Sequence, residues 1–234
     1  MEEHGLILVN TGNGKGKTTA ALGVVLRAVG QGFKVLILQF IKSGNGYGEL
    51  AGLAKLGDQV EIRSMGKGFI YYKRDEVGEA ELARHKEAAQ AAWRTLVEEV
   101  NSDKWDLIVM DEINNAINYE LIDVHSVVEM LNNKPKRLHV VLTGRYAKPE
   151  IIDMADTVTE MKVVKHAYEK DIKAAKGIEF WFNSKKSKKI EKELAKTISK
   201  MYNIVISTEV LNILDIKYVY KTNQEVNYGC TWWH

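Results

Sequence analysis

Directly after an apolar run, Leu6-Ile7-Leu8-Val9, the chain reads Thr11-Gly-Asn-Gly-Lys-Gly-Lys-Thr-Thr19. Gly12, Gly14 and Gly16 permit a tight backbone path that turns successive N–H groups toward one anion. A helix starting near Lys17 adds the positive end of its dipole to the same place. Lys17 is spaced to reach terminal phosphate oxygens, and the Thr18 hydroxyl to ligate Mg²⁺. The pattern G-x-x-x-x-G-K-[ST] between a strand and a helix therefore predicts binding of a nucleoside triphosphate, ATP with magnesium. Gly16, Lys17 and Thr18 match it, whereas Thr11 stands where the first glycine is expected. A glycine-rich turn that binds nothing is the plain alternative, and the strand-to-helix setting weighs against it.

Two further strand ends carry residues suited to a phosphate site. Asp111 and Glu112 close the run Leu107-Ile108-Val109-Met110, where an acid commonly holds the metal facing a phosphate loop. Successive strand residues face opposite ways, so either one fits, and an acid that only caps the next helix is the competing role. Arg145 follows His139-Val-Val-Leu-Thr-Gly144 and has the planar fork to clamp phosphates, or it is an ordinary loop arginine.

The elements that must position these groups alternate. Strands are expected at Leu6–Val9, Lys34–Phe40, Gln59–Ser64, Trp105–Asp111 and His139–Thr143. Helices are expected from Lys17 to about Val29, over Glu76–Asn101 and Leu121–Leu131, and briefly over Pro149–Ala155. The fold class is α/β: an open, mostly parallel sheet with helices on both faces, whose ligands gather along the strand C-terminal edge.

Composition narrows the partners. Of 234 residues, 45% are hydrophobic and 27% charged, and the net charge of +2 suggests no nucleic acid and no membrane surface. The charge is uneven, because residues 181–234 hold nine Lys against five acids. Cys230 is the sole cysteine, which excludes an intramolecular disulfide and a cysteine-rich zinc site and fits a cytoplasmic protein. The acidic start and the lack of any long apolar stretch predict no secretory signal and no membrane span.

The motifs together resemble one family, the phosphate-loop ATP:corrinoid adenosyltransferases of the CobA/CobO/BtuR type. The matching segments begin with Thr11–Ala21, Gln39-Phe-Ile-Lys42 and Met65-Gly-Lys-Gly-Phe69. Met110-Asp-Glu-Ile113, Val141-Leu-Thr-Gly-Arg145, Ala155-Asp-Thr-Val158, Val164-Lys-His-Ala167 and Lys176-Gly-Ile178 follow in family order. Threonine in place of the first loop glycine is typical of this family. The resemblance implies a phosphate-loop NTPase fold of RecA-like type over residues 1–180. It also implies transfer of the 5′-deoxyadenosyl group of ATP to Co(I) of a corrinoid, cobalamin or a precursor, with release of triphosphate. Gly12, Asn13, Gly14, Lys15, Gly16, Lys17, Thr18 and Thr19 would then bind the nucleotide, and Thr18 and Glu112 would hold magnesium. Lys17 and Arg145 would stabilise the triphosphate. Arg27 matches a family arginine without an assigned role. Phe69 and Tyr71 match an aromatic pair that displaces the lower cobalt ligand. The family's second aromatic is Trp, so Tyr71, smaller and polar-tipped, bears on corrinoid preference. A homodimer and a flavodoxin-like electron donor are also implied.

Residues 181–234 fall outside the resemblance and form a Lys-rich C-terminal extension. Ser184–Tyr202 reads as a basic helix, and Val205–Thr208 and Ile216–Tyr220 as strands. Two other functions use the same residues: a magnesium-dependent nucleotide hydrolase acting as a switch, and an ATP-gated corrinoid escort.

Overall fold

A strand buried on both faces needs an unbroken apolar run, and two of the expected strands are buried at every position. The computed structural model describes residues 4–44, 47–68 and 78–178. Phe69, Tyr71 and the elements read beyond residue 181 lie outside them. The strands are β1 (Ile7–Thr11), β2 (Val35–Gln39), β3 (Val60–Ser64), β4 (Leu107–Asp111), β5 (His139–Thr143) and β6 (Thr157–Glu160). They form one sheet in the order β3-β2-β4-β5-β1-β6, and every neighbouring pair is parallel.

The helices are α1 (Lys17–Gly30), α2 (Gly48–Leu53), α3 (Glu79–Asn101), α4 (Ile113–Asn118), α5 (Val124–Asn133) and α6 (Pro149–Met154). Alternation along β2 sends Val35 and Ile37 to the cluster holding Ala21 and Val25 of α1. Leu36 and Leu38 face the other way, into the cluster holding Ala89, Ala92 and Leu96 of α3. Helices thus cover both faces, as expected. Small residues on α3 at positions 88, 89 and 92 let that helix lie close to the sheet. Among the described residues no helix is long and apolar enough to cross a membrane.

Four departures from the sequence reading have local causes. β6 reads Thr-Val-Thr-Glu and is exposed throughout, so hydropathy gives it no signal. Its order comes from pairing with β1 and from Asp156 Oδ2, which accepts the Ile7 N–H at 2.8 Å. α4 contains three asparagines, poor helix formers, yet it buries Ile113, Ala116 and Ile117. α2 and the 3-10 turn after it, over 54–59, occupy a stretch between the second and third expected strands to which the sequence reading assigns no element. α5 begins later than Leu121 because Asp123 caps it, accepting the Ser126 N–H at 2.8 Å.

β3, α3 and the approach to β4 are tied through Glu99. Its carboxylate accepts from Arg63 Nη1 at 2.8 Å and from the Trp105 indole N–H at 2.7 Å. Burial pushes this carboxyl up, but the bonds from Trp105 and Arg63 outweigh it and hold it below the usual range. Glu99→Gln should therefore cost about 1–2 kcal/mol at neutral pH, read from urea denaturation. A depressed folded pKa contributes stability that is present above the unfolded value of about 4.3 and fades below it. The gap between wild type and variant should accordingly narrow as pH falls through that region. A gap of constant size down to acid pH would count against an ionic origin.

Candidate functional site

Parallel strands place their C-terminal ends on one edge, so the ends of β1, β2, β4 and β5 meet there. β1 passes through Thr11 into the glycine loop, and Gly16 (φ 110°) turns the chain into α1. No side chain caps the start of α1, leaving its first-turn N–H groups directed at the loop. Lys17 Nζ lies inside the loop, donating to the carbonyls of Gly12 at 2.8 Å and Gly14 at 2.6 Å. Burial and the nearby Arg145 guanidinium lower its pKa to about 8, against the pull of Glu112.

The glycines have a reason that the phosphate argument misses. A Cβ on Gly12 would lie 2.5 Å from the Met161 carbonyl oxygen, and one on Gly14 would lie 2.7 Å from it. The chain leaving β6 crosses the loop at that point, and the Gly14 N–H donates to Met161 O at 2.6 Å. One loop N–H is thus spent on the protein rather than turned toward an anion. Thr11 also acquires a cause. Its hydroxyl accepts the Ala147 N–H at 3.2 Å and joins the phosphate loop to the loop carrying Arg145.

Asp111, wholly buried, accepts hydrogen bonds from three side chains and pairs with a fourth. Thr18 and Thr143 hydroxyls donate to Oδ1, each at 2.8 Å. Gln39 Nε2 donates to Oδ2 at 3.0 Å, and Lys42 Nζ forms an ion pair with the same oxygen at 3.1 Å. Glu112 is the opposite case. Its backbone is left-handed (φ 64°, ψ 22°), and its N–H donates to Thr143 Oγ1 at 2.9 Å. Its Oε2 is buried without a hydrogen-bond partner. Burial, then the Asp111 charge, raises its pKa to about 7, while Lys42, Lys17 and Arg145 pull it down. The Glu112 carboxyl group thus sits within the field of both candidate phosphate-binding cations. Among the described residues, the only other buried side-chain polar atoms without a partner are the two amide atoms of Asn114.

The remaining expected residues divide. Arg145 is part of the cluster, its N–H held by Asn115 Oδ1 at 2.9 Å. Asn13, Lys15 and Thr19 lie on or beside the loop but are exposed, and Lys15 Nζ donates to Ile178 O at 3.2 Å. Arg27 is exposed in the last turn of α1, about 15 Å along the axis from Lys17, and does not join the others. The segment leading to Phe69 is laced onto β2's exit, with Met65 N–H on Gln39 O and Gly68 N–H on Ile41 O. Reading residue by residue missed Gln39 and Lys42. The available signal was a pair of polar residues closing an otherwise apolar buried run.

A unoccupied carboxylate oxygen, a threonine hydroxyl fixed by its own donor bond, and phosphate oxygens suit a hard, partly hydrated cation such as Mg²⁺. Among the described residues no three His, Cys, Asp or Glu side chains are placed to hold a metal ion together. A glycine loop between strand and helix, facing a second strand-end acid across a parallel sheet, defines a phosphate-loop nucleotide-binding protein.

The family model for ATP:corrinoid adenosyltransferases (BtuR/CobO/CobP) matches residues 3–180. The chain belongs to that family, and is an enzyme of that type. A corrinoid adenosyltransferase of Pseudomonas aeruginosa is 40% identical over 179 residues, 76% of this chain and 85% of the relative. Those of Escherichia coli K12 and Salmonella typhimurium are each 39% identical over 180 residues, 77% of this chain and 88% of the relative.

Among the described residues, Thr143 is the side chain that bonds to both neighbouring acids, to the Asp111 carboxylate and the Glu112 N–H. Thr143→Val keeps its shape but removes a donor to Asp111 and the acceptor of the Glu112 N–H. It should lower unfolding free energy by about 1–3 kcal/mol and weaken magnesium-dependent nucleotide binding. A variant as stable as wild type, with unchanged binding, would show that this hydroxyl does not organise the strand ends.

Proposed function

We propose that the enzyme transfers the 5′-deoxyadenosyl group of ATP to Co(I) of a corrinoid and releases triphosphate. The observation that carries this reading is the pairing of opposites at β4's end. Asp111 is saturated by protein donors, whereas Glu112 keeps a buried oxygen without a partner in the field of Lys17 and Arg145. Glu112 and the Thr18 hydroxyl would hold magnesium, with Asp111 orienting Thr18 from behind. When bound, the metal supplies neutralisation of charge on the phosphate oxygens.

In the reaction the Co(I) electron pair attacks the ribose 5′ carbon, the carbon–oxygen bond breaks, and triphosphate departs with its electrons. The nucleophile is the substrate's own cobalt, so the protein's task is to bind, orient and stabilise the departing charge. Lys17, Arg145 and the α1 N–H groups do this. Asn13, Lys15 and Thr19 border the nucleotide, and Phe69 and Tyr71 would serve the corrinoid. The family resemblance further supports a homodimer, a flavodoxin-like electron donor and a cytoplasmic setting.

An anaerobic assay with Mg-ATP and chemically reduced cobalamin tests the reaction. A light-sensitive adenosylcorrinoid spectrum with stoichiometric triphosphate is expected. Corrinoid-independent ADP and orthophosphate, with no new cobalt–carbon bond, would overturn it. The metal assignment has its own test. Glu112→Gln should lower magnesium-dependent turnover by about a hundredfold with little loss of stability. Asp111→Asn should instead destabilise the fold, since it strands a buried ammonium. Full activity in Glu112→Gln would sink the assignment.

A further inference from the structure

The segment Gln39–Lys42 has no part in the chemistry just derived, yet both its end residues reach Asp111. We propose that Lys42 is a positioning residue: its ammonium pairs with Asp111, so that this carboxylate orients Thr18 and stays off the metal. The proposal rests on the reading that Thr18 and Glu112 hold the cation.

Lys42 is 6% exposed, so its charge is removed from water and needs partners. Nζ lies 3.1 Å from Asp111 Oδ2 and 3.0 Å from Glu49 Oε1, and 5.3 Å above the Tyr47 ring. Burial opposes its charge, but Asp111 and Glu49 prevail and keep it firmly protonated. Gln39 is fixed in turn, because Ser64 Oγ donates to its Oε1 at 2.6 Å and leaves its amide N–H for Asp111 Oδ2.

The consequence is selective. Asp111 and Glu112 are adjacent carboxylates at one strand end, and a bare divalent cation is drawn to both. Lys42 and Gln39 occupy the oxygen of Asp111 that the threonines leave, while Glu112 Oε2 has no partner. The two acids are thereby given different work. One aims a hydroxyl, and the other is left for the cation. Lys42 also reaches Glu49 in the first turn of α2, so the same ammonium ties that helix to the strand end.

Mn²⁺ binding to the full-length protein without nucleotide, followed by electron paramagnetic resonance, separates this role from simple support of the fold. Lys42→Met removes a positive charge and frees Asp111, so Mn²⁺ should bind more tightly, on the order of tenfold. Turnover with Mg-ATP and reduced corrinoid should fall by about tenfold, in kcat more than in KM for ATP. A damaged fold would weaken metal binding, not strengthen it. If Lys42→Met does not fold, Lys42→Gln, which keeps a polar side chain but removes the charge paired with Asp111, carries the same expectation for Mn²⁺. Lys42→Arg, which restores the charge, should return Mn²⁺ affinity to within about threefold of wild type. A folded Lys42→Met or Lys42→Gln protein with unchanged or weaker Mn²⁺ affinity would overturn the proposal. Glu112→Gln, measured in parallel with ATP present, tells the two failures apart. Loss of Mn²⁺ binding there, with no gain in the Lys42 variants, refutes only the role of Lys42. Retention there refutes the metal assignment itself.

Discussion

A buried carboxylate is tolerable only if donors surround it, and the site is organised around satisfying Asp111. Its donors come from separate parts of the chain: Thr18 from the start of α1, Gln39 and Lys42 from the exit of β2, and Thr143 from the end of β5. Moving any of these elements by an ångström breaks a bond that water cannot replace. The relative height of the phosphate-loop helix and three strand ends is therefore fixed by one side chain. The same constraint reaches Glu112. Thr143 holds its N–H, and the chain turns left-handed there, a conformation costing of order 1 kcal/mol or more for a residue with a side chain. Strain of this kind persists where surrounding bonds over-determine it, and here it begins α4 at Glu112.

What could be read from the chain follows from which forces act locally. β2 and β4 are apolar up to their last residue, and β5 over its middle, because both their faces meet helices, so their runs announce them. β6 has neither face covered, and its partner β1 is distant in sequence, so its polar residues are silent. The same holds within the site. Lys17, Thr18, Glu112 and Arg145 are legible because phosphate chemistry demands those types at those spacings. Gln39 and Lys42 answer to Asp111, a residue about seventy positions away, which no local pattern records. Thr11 carried its meaning only through family likeness until Ala147 supplied a partner. Arg27, matched by likeness alone, falls on the far end of α1.

The glycine loop illustrates a wider point about such motifs. Gly12 and Gly14 are read as freedom for a backbone to wrap an anion, and the structure shows them also admitting the main chain after β6. An edge strand exposed on both faces gains little from burial, so its hydrogen bonds to β1 and the Met161 crossing are what hold it in register. Loop and edge strand are thus mutually dependent, and a substitution chosen to test phosphate binding at Gly14 would also displace β6.

On the proposed reading, charge counting explains why this arrangement would take a divalent cation. Lys42 is shared among Asp111, Glu49 and Glu112, and Lys17 and Arg145 act on Glu112 as well. Three cations, Lys17, Lys42 and Arg145, against three carboxylates, Glu49, Asp111 and Glu112, give a pocket whose own charge is far smaller than that of a triphosphate. Without a metal, ATP would enter strongly under-neutralised, and Glu112 would repel it outright. A divalent ion on Glu112 and Thr18 would, on the proposed reading, turn the repelling carboxylate into the anchor of a positive charge, and Lys17 and Arg145 would stabilise charge that grows as triphosphate departs. On the proposed reading the raised pKa of Glu112 has the same origin. A carboxyl placed to receive a cation, in a site where burial and Asp111 both disfavour its charge, is held back from full ionisation by the very geometry that would make it a ligand.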